Sequence, residues 1–330
     1  MSILIVGGAG YIGSHTAKIV AAANADIGPL VVFDNLSSGH RWALRWGTFE
    51  EGDLNDPAAI AAVIKRHAVT AVIQFAAFIE VGESVRDPRK YFRGNVQNTL
   101  NLLDAMVDAG VRDLVFSSTA AVYGDPIKTP IPEDHPLAPV NPYGDSKLFV
   151  ETILRRYGQA YGLRWAALRY FNAAGADPDG GNGEDHAPES HLIPLAIKAA
   201  LGQRGPLQVF GTDYPTPDGT AVRDYVHVVD LAHAHLLALR HLAAGQGSFV
   251  ANVGTGRGHS VRQVLAAVEK AAGRPVPHQE VARRPGDSPE LVADASRARA
   301  LLGWQPRYAE LDTIVSHAWQ WHLSQSQTKP

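Results

Sequence analysis

Short apolar runs rich in β-branched residues alternate with amphipathic segments through the first half of the chain. Such runs are typical of strands buried on both faces, and the amphipathic segments repeat their apolar positions with helical spacing. The predicted strands are residues 2–6, 30–33, 48–50, 71–75, 114–117 and 165–170, and the predicted helices are 12–23, 57–67, 91–109 and a segment that ends near Tyr161. Strand and helix in turn predict an α/β fold with a Rossmann-type, doubly wound parallel sheet.

The pattern becomes irregular beyond residue 175. Residues 176–188 and 211–219 are rich in glycine, aspartate and proline, which favour turns and loops. We therefore predict two domains: residues 1–175 carry the parallel sheet, and residues 176–330 form a smaller, mixed α/β domain. The segment 226–242 is expected to pack back against the first domain.

A glycine-rich turn joins the first predicted strand to the first predicted helix. Gly7, Gly10 and Gly13 form a GxxGxxG pattern that lets the backbone approach a pyrophosphate at the helix N-terminus. The second predicted strand ends in Asp34, about 20 residues further on, where an acid can bind the ribose hydroxyls of adenosine. Because a carboxylate repels a 2′-phosphate, this pattern indicates NAD rather than NADP. The alternative for Asp34 is an ordinary turn residue.

A tyrosine and a lysine stand four residues apart at the head of the last of these helices. Asn141 suits the N-cap and Pro142 the first helical position, so Tyr143 and Lys147 lie on one face of the first turn. A tyrosine that acts as a base near neutrality needs its pKa lowered by about 3 units, or roughly 4 kcal/mol. A neighbouring lysine, the helix end and a bound cationic ring can supply that stabilisation.

Composition narrows the classes of function. The chain has 330 residues, a formal net charge of −3 and a pI near 6.5, so we expect neither a nucleic-acid partner nor a membrane partner. It has no cysteine, which excludes disulfides and thiolate chemistry. The chain begins with an apolar strand rather than a basic leader, and no apolar run reaches about 18 residues. We therefore expect a cytoplasmic protein.

Two further features are interpreted as structural. His233, His235 and His241 suggest a zinc site, but His233 and His235 point to different faces of a helix and no carboxylate cluster accompanies the three, so we expect no metal site. Residues 252–258 look like a second phosphate loop. However, they lack a following strand that ends in an acid, and Ser260 and Gln263 form a capping box for the next helix.

Longer motifs carry a resemblance to a known family. The glycine turn, the Tyr143 and Lys147 pair and residues 117–124 together resemble the extended short-chain dehydrogenase/reductase superfamily. Closer matches to the UDP-glucose 4-epimerase family are the segments 34–36, 81–84, 169–172, 210–216 and 218–227. The resemblance covers nearly the whole chain. It implies an enzyme that keeps NAD bound and interconverts UDP-galactose and UDP-glucose, with a UDP-sugar site in the second domain and a homodimeric assembly.

The resemblance also implies catalytic roles for three residues. Tyr143 would take the proton of the sugar 4-hydroxyl while the C4 hydride moves to NAD. Lys147 would hold the nicotinamide ribose and lower the pKa of Tyr143, and Thr119 would hydrogen-bond the 4-oxygen and relay the proton. The 4-keto sugar would then turn over and receive the hydride on its other face. No metal is required, because NAD carries the difficult step.

Two sets of binding residues follow from the same resemblance. The cofactor-binding positions are Gly7, Gly10, Tyr11, Ile12, Gly13, Asp34, Asn35, Asp53, Leu54, Phe75, Ala76, Ala77, Asn95, Ser117, Tyr143, Lys147 and Tyr170. The substrate-binding positions are Thr119, Tyr143, Asn172, His191, Leu192, Phe210, Arg223, Tyr225, Arg284, Asp287 and Leu291. The two arginines match positions that hold the pyrophosphate, which guanidinium groups can bind in a bidentate manner.

Three positions bear on cofactor retention and substrate choice. Ile79 stands where some family members place a lysine near the cofactor, and His191 replaces an asparagine. Leu291 aligns with a position that gates sugar size. UDP-N-acetylglucosamine with UDP-N-acetylgalactosamine, and UDP-xylose with UDP-arabinose, are therefore alternative substrate pairs.

Two rival functions fit the residues less well. A nucleotide-sugar 4,6-dehydratase typically has Asp-Glu after the catalytic threonine, whereas this chain has Ala120 and Ala121 after Thr119. A non-catalytic NAD sensor does not need Thr119, Tyr143 and Lys147, yet all three are present.

Overall fold

The large sheet is parallel throughout, as the alternation of strands and helices predicts. The computed structural model describes residues 2–23, 28–284 and 286–328. Among these residues the sheet has seven strands, in the order β10-β6-β5-β4-β1-β2-β3. The strands are β1 (Ile3–Val6), β2 (Leu30–Asp34), β3 (Thr48–Glu51), β4 (Ala71–Gln74), β5 (Asp113–Thr119), β6 (Arg164–Tyr170) and β10 (Phe249–Val253). Strand order reverses between β1 and β4, which is where ligands bind in such sheets.

Helices cover both faces of this sheet. In chain order the helices are α1 (Tyr11–Ala22), α2 (Pro57–Arg66), α3 (Val81–Arg86), α4 (Pro88–Tyr91), α5 (Asn98–Asp108), α6 (Pro142–Tyr161), α7 (Leu192–Ala200), α8 (Val228–Ala243), α9 (Val261–Ala272), α10 (Ser296–Leu302) and α11 (Leu311–Thr328). Helices α1 and α8 contribute to the core on one face, and α2, α5 and α6 to the core on the other. Each central strand is therefore buried on both sides, which explains its continuous apolar sequence.

The predicted helix over residues 91–109 is not a regular helix. It consists of the end of α4, a π-helical stretch (Phe92–Gln97) and α5. Within that stretch the buried Asn95 side chain bonds both backbone groups of Phe78, accepting from its N–H at 2.8 Å and donating to its carbonyl oxygen at 3.0 Å. A wide turn of this kind often marks a functional position.

The second half of the chain builds a smaller region around strand β9 (Val222–His227). This strand pairs with β7 (Asn172–Ala174), β11 (Gly258–Ser260) and β13 (Glu290–Leu291). A separate parallel pair consists of β8 (Leu207–Phe210) and β12 (His278–Val281). Helices α7, α9 and α11 cover this region with a core of their own.

The second half also contributes to the large sheet. Strand β10 lies beside β6, and α8 packs against α1, so the chain crosses back after residue 175. The proposed division into residues 1–175 and 176–330, with 226–242 packing back, does not include β10 in the first domain. In the described parts of the chain, no helix is both long enough and apolar enough to cross a membrane.

Candidate active site

The glycine turn forms a close-packed cradle between β1 and α1. Gly7 has φ +81°, and a Cβ there would lie 2.4 Å from the backbone nitrogen of Ala76. A Cβ at Gly13 would lie 2.1 Å from the carbonyl oxygen of Gly7. Gly10 is the N-cap of α1, so the N–H groups of Tyr11 and Ile12 in the first turn have no acceptor within the helix. This turn fits the pyrophosphate of a dinucleotide, because it offers backbone donors and no side-chain bulk.

Asp34 holds the end of β2 against the glycine turn. Its carboxylate accepts hydrogen bonds from the backbone N–H groups of Ala9 at 2.9 Å and Leu36 at 2.8 Å. Burial raises the pKa of this carboxyl group, and the two hydrogen bonds oppose that shift. Nearby, the Asn35 amide donates to Asp53 at 2.7 Å, and the buried Leu54 follows Asp53 directly. The structure therefore brings these four predicted cofactor-binding residues together at the ends of β2 and β3.

The end of β4 forms the next wall of the cleft. Phe75 and Ala76 both donate their N–H groups to the carbonyl oxygen of Val6, so Phe75, Ala76 and Ala77 follow the sheet edge beside the glycine turn. Asn95 links this segment to α6, because its amide donates to the Ser146 hydroxyl at 3.0 Å. All the polar atoms of the Asn95 side chain are thus engaged within the protein, and it positions the segment around Phe78.

Tyr143 and Lys147 lie in a buried pocket at the end of β5. Asn141 caps α6 through the N–H of Gly144 at 2.9 Å, so the predicted helix start is correct. The Tyr143 phenol lies beside the Thr119 hydroxyl, and the Lys147 ammonium donates to the carbonyl oxygen of Ser117 at 2.9 Å. Tyr143 and Lys147 are 7% and 3% exposed, respectively, so the protein shields this pocket from water.

Burial dominates the electrostatics of these two groups. It raises the pKa of Tyr143, against the smaller lowering effect of the neighbouring Thr119 hydroxyl. It lowers the pKa of Lys147 to about 7, although the negative charge of Glu151 acts in the opposite direction. The protein alone therefore does not stabilise the Tyr143 phenolate, and further positive charge in the pocket is needed.

A second layer of buried polar residues supports this pocket. The Glu151 carboxylate accepts from Ser118 at 2.5 Å and from two nitrogens of Arg169 at 2.9 and 2.5 Å. Sequence analysis did not identify Glu151. One signal was available, because Glu151 stands four residues after Lys147 on the same helix and so faces the same strands.

His235 also lies behind the pocket rather than in a metal site. Its Nδ1 faces the carbonyl oxygen of Leu231 at 2.8 Å and must therefore donate to it, so its Nε2 accepts from the Ser117 hydroxyl at 2.8 Å. Burial lowers the pKa of His235 to about 4, which keeps the ring neutral. The Tyr170 ring contacts the His235 ring at 6.4 Å between centroids, so these side chains pack around the end of β5.

Strand pairing gathers most of the predicted substrate residues. Asn172 on β7 stands opposite Tyr225 on β9, and Leu291 on β13 stands opposite Arg223 on β9. Leu291 also packs against the small apolar cluster that begins at Ala120, immediately after Thr119. The pairing of β7, β9 and β13 thus brings these predicted substrate residues together. Through Leu291 they also adjoin the segment that follows Thr119 at the end of β5.

The two arginines occupy different settings. Arg223 donates to the Ser288 carbonyl oxygen at 2.9 Å and lies 3.8 Å from an Asp287 carboxylate oxygen. The Arg284 guanidinium is exposed and lies 4.2 Å from the centre of the Phe210 ring. Arg223 is therefore held in place, whereas Arg284 presents its donors to solvent.

Two predicted residues lie at the head of α7. Leu192 begins this helix and is half-buried. His191 precedes it, and its Nδ1 lies 2.7 Å from a carboxylate oxygen of Glu184. The His191 side chain therefore lies beside the carboxylates of Glu184 and Glu189. Its role beside the substrate stays a prediction.

Comparison with known proteins agrees with this geometry. Residues 3–254 match the model of the NAD dependent epimerase/dehydratase family. The chain is 51% identical over 326 residues to a UDP-glucose 4-epimerase of Rhizobium leguminosarum bv. trifolii, covering 99% of this chain and 98% of that protein.

Solved structures give the same result. The UDP-glucose 4-epimerase of Brucella ovis, in complex with NAD, has a TM-score of 0.94 at 51% identity, covering 96% of this chain and 97% of that chain. The enzyme of Stenotrophomonas maltophila, with bound NAD and formylated UDP-arabinopyranose, has a TM-score of 0.94 at 40% identity, covering 100% of both chains. The chain therefore belongs to the NAD dependent epimerase/dehydratase family and, within it, to the NAD-dependent UDP-glucose 4-epimerases.

Proposed function

We propose that the chain interconverts UDP-galactose and UDP-glucose in the pocket at the end of β5, with Tyr143 as the group that takes and returns the proton of the sugar 4-hydroxyl. One observation carries this proposal. The Tyr143 phenol is buried, beside Thr119 and one helical turn from Lys147. Bound NAD supplies the chemistry that the side chains lack, because it can accept a hydride from C4 and return it.

The protein supplies the cradle for this cofactor. The glycine turn and the first turn of α1 hold the pyrophosphate, and Asp34 receives the adenosine ribose beside Asn35, Asp53 and Leu54. Lys147 and Ser117 hold the nicotinamide half at the end of β5. This assignment is supported by the close approach at Gly7 and Gly13, where any side chain would collide with the backbone that forms the cradle.

Tyr143 acts as a base only in the loaded enzyme. Burial raises its pKa in the cofactor-free pocket, so the phenol keeps its proton there. Lys147, which burial leaves with a pKa of about 7, becomes fully charged only when negative charge comes close. Proton transfer from the sugar is thus coupled to occupation of the site.

The far half of the site must hold UDP firmly and the hexose loosely. Arg223 and Arg284 bind the pyrophosphate, Phe210 and Tyr225 provide apolar surface for the nucleoside, and Asn172, Asp287 and Leu192 complete the pocket. A fixed UDP and few contacts to the sugar let the 4-keto intermediate turn over and present its other face. Thr119 would hydrogen-bond the sugar 4-oxygen and relay its proton.

Substitution of Tyr143 by phenylalanine tests the proposal. Tyr143→Phe keeps the ring and removes the proton acceptor, so kcat is expected to fall by about 10²- to 10⁴-fold while binding of NAD and UDP is retained. Proton NMR of UDP-galactose follows the reaction without a coupling enzyme. Tyr161→Phe, at an exposed tyrosine of the same helix, is the matched control. Full turnover by Tyr143→Phe would remove Tyr143 from the mechanism.

The choice of sugar is decided near Leu291. This side chain stands opposite Arg223 and beside the segment that follows Thr119. The S. maltophila structure contains a UDP-pentose derivative, which favours a test of UDP-xylose and UDP-arabinose together with the N-acetylated pair. Leu291→Tyr should reduce the use of UDP-N-acetylglucosamine more than that of UDP-glucose. Equal loss for both would show that Leu291 does not gate the sugar.

We also propose a homodimer in the cytoplasm. Val85 on α3 and Phe149 on α6 are 62% and 49% exposed, and Phe149 stacks on Phe92 at 5.8 Å. Exposed apolar groups on adjacent helices are typical of a subunit interface. Light scattering should give twice the chain mass, and Phe149→Glu should give monomers. Ile127→Glu, at another exposed apolar residue, should not. Cell fractionation tests the location.

A further inference from the structure

Four metal-ligating side chains converge in the segment that precedes α7. Glu184, His186, Glu189 and His191 each offer one ligand atom, and these atoms all lie within 4.8 Å of one another. His233, His235 and His241, on which the expectation of no metal site rested, lie elsewhere on α8. The four residues fall within eight positions of sequence, so a single loop can bring them together.

The distances suit a shared ion. The Nδ1 atoms of His186 and His191 lie 3.2 and 2.7 Å from Oε1 of Glu184. From Oε1 of Glu189 the same two nitrogens lie 3.8 and 3.2 Å away. Ligands at about 2.0 to 2.2 Å from a tetrahedral zinc ion are roughly 3.3 to 3.6 Å apart. Only small side-chain movements would therefore place the four atoms around one ion.

The hydrogen bonding of the cluster is incomplete without such an ion. The Glu184 and Glu189 side chains are 4% and 3% exposed. Among the described residues, Oε1 of Glu184, Oε2 of Glu189 and Nδ1 of His186 are buried and make no hydrogen bond of acceptable geometry, although Oε1 of Glu184 lies within ion-pair distance of both imidazoles. Buried polar atoms are normally satisfied, because an unpaired one costs about 1–3 kcal/mol. These atoms point to a ligand that they share.

We propose that Glu184, His186, Glu189 and His191 bind a divalent ion of the zinc type. Two imidazoles and two carboxylates are a donor set that zinc accepts in tetrahedral geometry, and two negative charges balance the ion. The site is structural rather than catalytic, since all four ligands come from the protein. The inference does not depend on the proposed function.

The ion would fix this loop against the cofactor side of the molecule. The His186 ring stands edge-on to the Tyr11 ring, at 6.3 Å between centroids, in the first turn of α1. The Glu184 carbonyl oxygen accepts from the Trp321 indole at 3.2 Å. The ion would thus hold the loop against α1 and α11. It would also set the position of α7, which begins at Leu192.

Cobalt titration of chelator-treated protein tests the site. Because the chain has no cysteine, visible absorption on Co²⁺ addition reports nitrogen and oxygen ligands alone. We expect saturation at one equivalent, displacement by Zn²⁺, and a rise in Tm when Zn²⁺ is added. His186→Gln and Glu189→Gln should each weaken Co²⁺ binding by at least about tenfold. In both variants the rise in Tm with Zn²⁺ should be lost.

Matched controls separate this site from adventitious binding. His67→Gln removes a histidine that lies 2.6 Å from Glu50, a carboxylate that also pairs with Arg66, and it should leave the cobalt spectrum unchanged. Circular dichroism identifies any variant that does not fold. In that case the number of Co²⁺ ions bound per chain of the unmodified protein tests the proposal. If it binds no Co²⁺ more tightly than the His186→Gln and Glu189→Gln double variant, the cluster is an ion-paired network of protonated histidines and the proposal is wrong.

Discussion

Burial of Lys147 opposes the charge that its proposed role needs. A lysine that is 3% exposed, with a pKa lowered to about 7, has a charged form that is costly in the folded protein. The same burial raises the pKa of Tyr143. Burying these groups therefore lowers the free energy of unfolding of the cofactor-free protein. The charges in the pocket are balanced only when the cofactor and the sugar are bound.

Substitution of Lys147 by methionine should stabilise the cofactor-free protein in a pH-dependent way. Below pH 7 the lysine is protonated in both the folded and the unfolded chain, so the full cost of burying the charge applies. Between pH 7 and 10.5 the unfolded chain binds more protons, and the stability of the unmodified protein rises with pH. Urea unfolding should therefore show a gain of a few kcal/mol at pH 6 that shrinks toward pH 10.

An exposed lysine provides the control for Lys147→Met. Lys65→Met changes an exposed lysine on α2 and should show no such pH dependence. A gain for Lys147→Met that stays constant from pH 6 to 10 would mean that lost flexibility, rather than buried charge, explains it.

Sequence predicted the reacting residues better than the residues behind them. Tyr143 and Lys147 share a local spacing that a helix converts into proximity. Glu151, Arg169 and His235 come from three elements. Helical spacing places Glu151 on the same face as Lys147, but nothing in the local sequence shows that Arg169 and His235 also lie behind β5. Long-range packing decides that position.

The capping box of α9 shows where local chemistry suffices. The Ser260 and Gln263 side chains and backbones bond reciprocally, as predicted. The preceding loop offers its Thr255 and Gly256 N–H groups to the buried Asp224 carboxylate, each at 2.9 Å. An internal carboxylate therefore occupies the donors that a phosphate would need.

At the scale of elements, the turn between β1 and α1 depends on the absence of side chains. Gly7→Ala would place a Cβ 2.4 Å from the Ala76 backbone in a residue at φ +81°. We expect NAD affinity to fall by at least about tenfold and stability by more than the 1–2 kcal/mol of left-handed strain alone. Calorimetry with NAD and urea unfolding measure the two effects.

Gly110→Ala is the control that measures the effect of left-handed backbone strain without a steric collision. Gly110 has φ +73°, and a Cβ added there would meet nothing within 4 Å, so the variant should lose about 1–2 kcal/mol and keep NAD affinity. If Gly7→Ala behaves like Gly110→Ala in both assays, the close approach at Ala76 is unimportant.

One buried ion pair, Glu151 on α6 with Arg169 on β6, should contribute strongly to the free energy of unfolding. Glu151→Gln leaves the Arg169 guanidinium, which is 4% exposed, without its counter-charge. We expect a loss of about 3–5 kcal/mol in urea unfolding. Asp113→Asn breaks a pair with Arg164 that joins β5 to β6, but Arg164 is 40% exposed and the loss should be smaller. Equal losses would show that water reaches both pairs.

Elements of the first half were predictable because each strand and helix has its own apolar pattern. Strand ends differ from the predictions by no more than two residues, and the α6 bounds follow from Asn141, Pro142 and the stripe that ends at Tyr161. The π-helical stretch was not predictable, since it depends on Asn95 contacting Phe78, far away in sequence. Nor was β10, whose place beside β6 is a long-range pairing.

At the scale of the whole molecule, the two halves are joined through α1. The Tyr11 hydroxyl donates to the Gly175 carbonyl oxygen at 2.7 Å, and the Asn182 amide donates to the Ser14 hydroxyl at 2.8 Å. Lys18 bonds both Asp177 and Asp179. The helix that follows the glycine turn therefore also carries the loop that leads to the substrate pocket, so binding at one half is expected to affect the other.

The Lys18 contacts allow this connection to be tested with two neighbouring carboxylates. Both lie 2.7 Å from the Lys18 ammonium, but the Asp177 side chain is 3% exposed and that of Asp179 is 82% exposed. Because solvent screens the outer pair, Asp177→Asn should loosen the loop and Asp179→Asn should not. Hydrogen exchange should become faster over residues 176–191 in Asp177→Asn, with rates in β4 and β5 unchanged. The same variant should bind NAD more weakly, since α1 loses an anchor beside the glycine turn. Faster exchange without any change in NAD affinity would mean that the loop and the cofactor cradle are independent, and that the halves meet at α1 without being coupled through it.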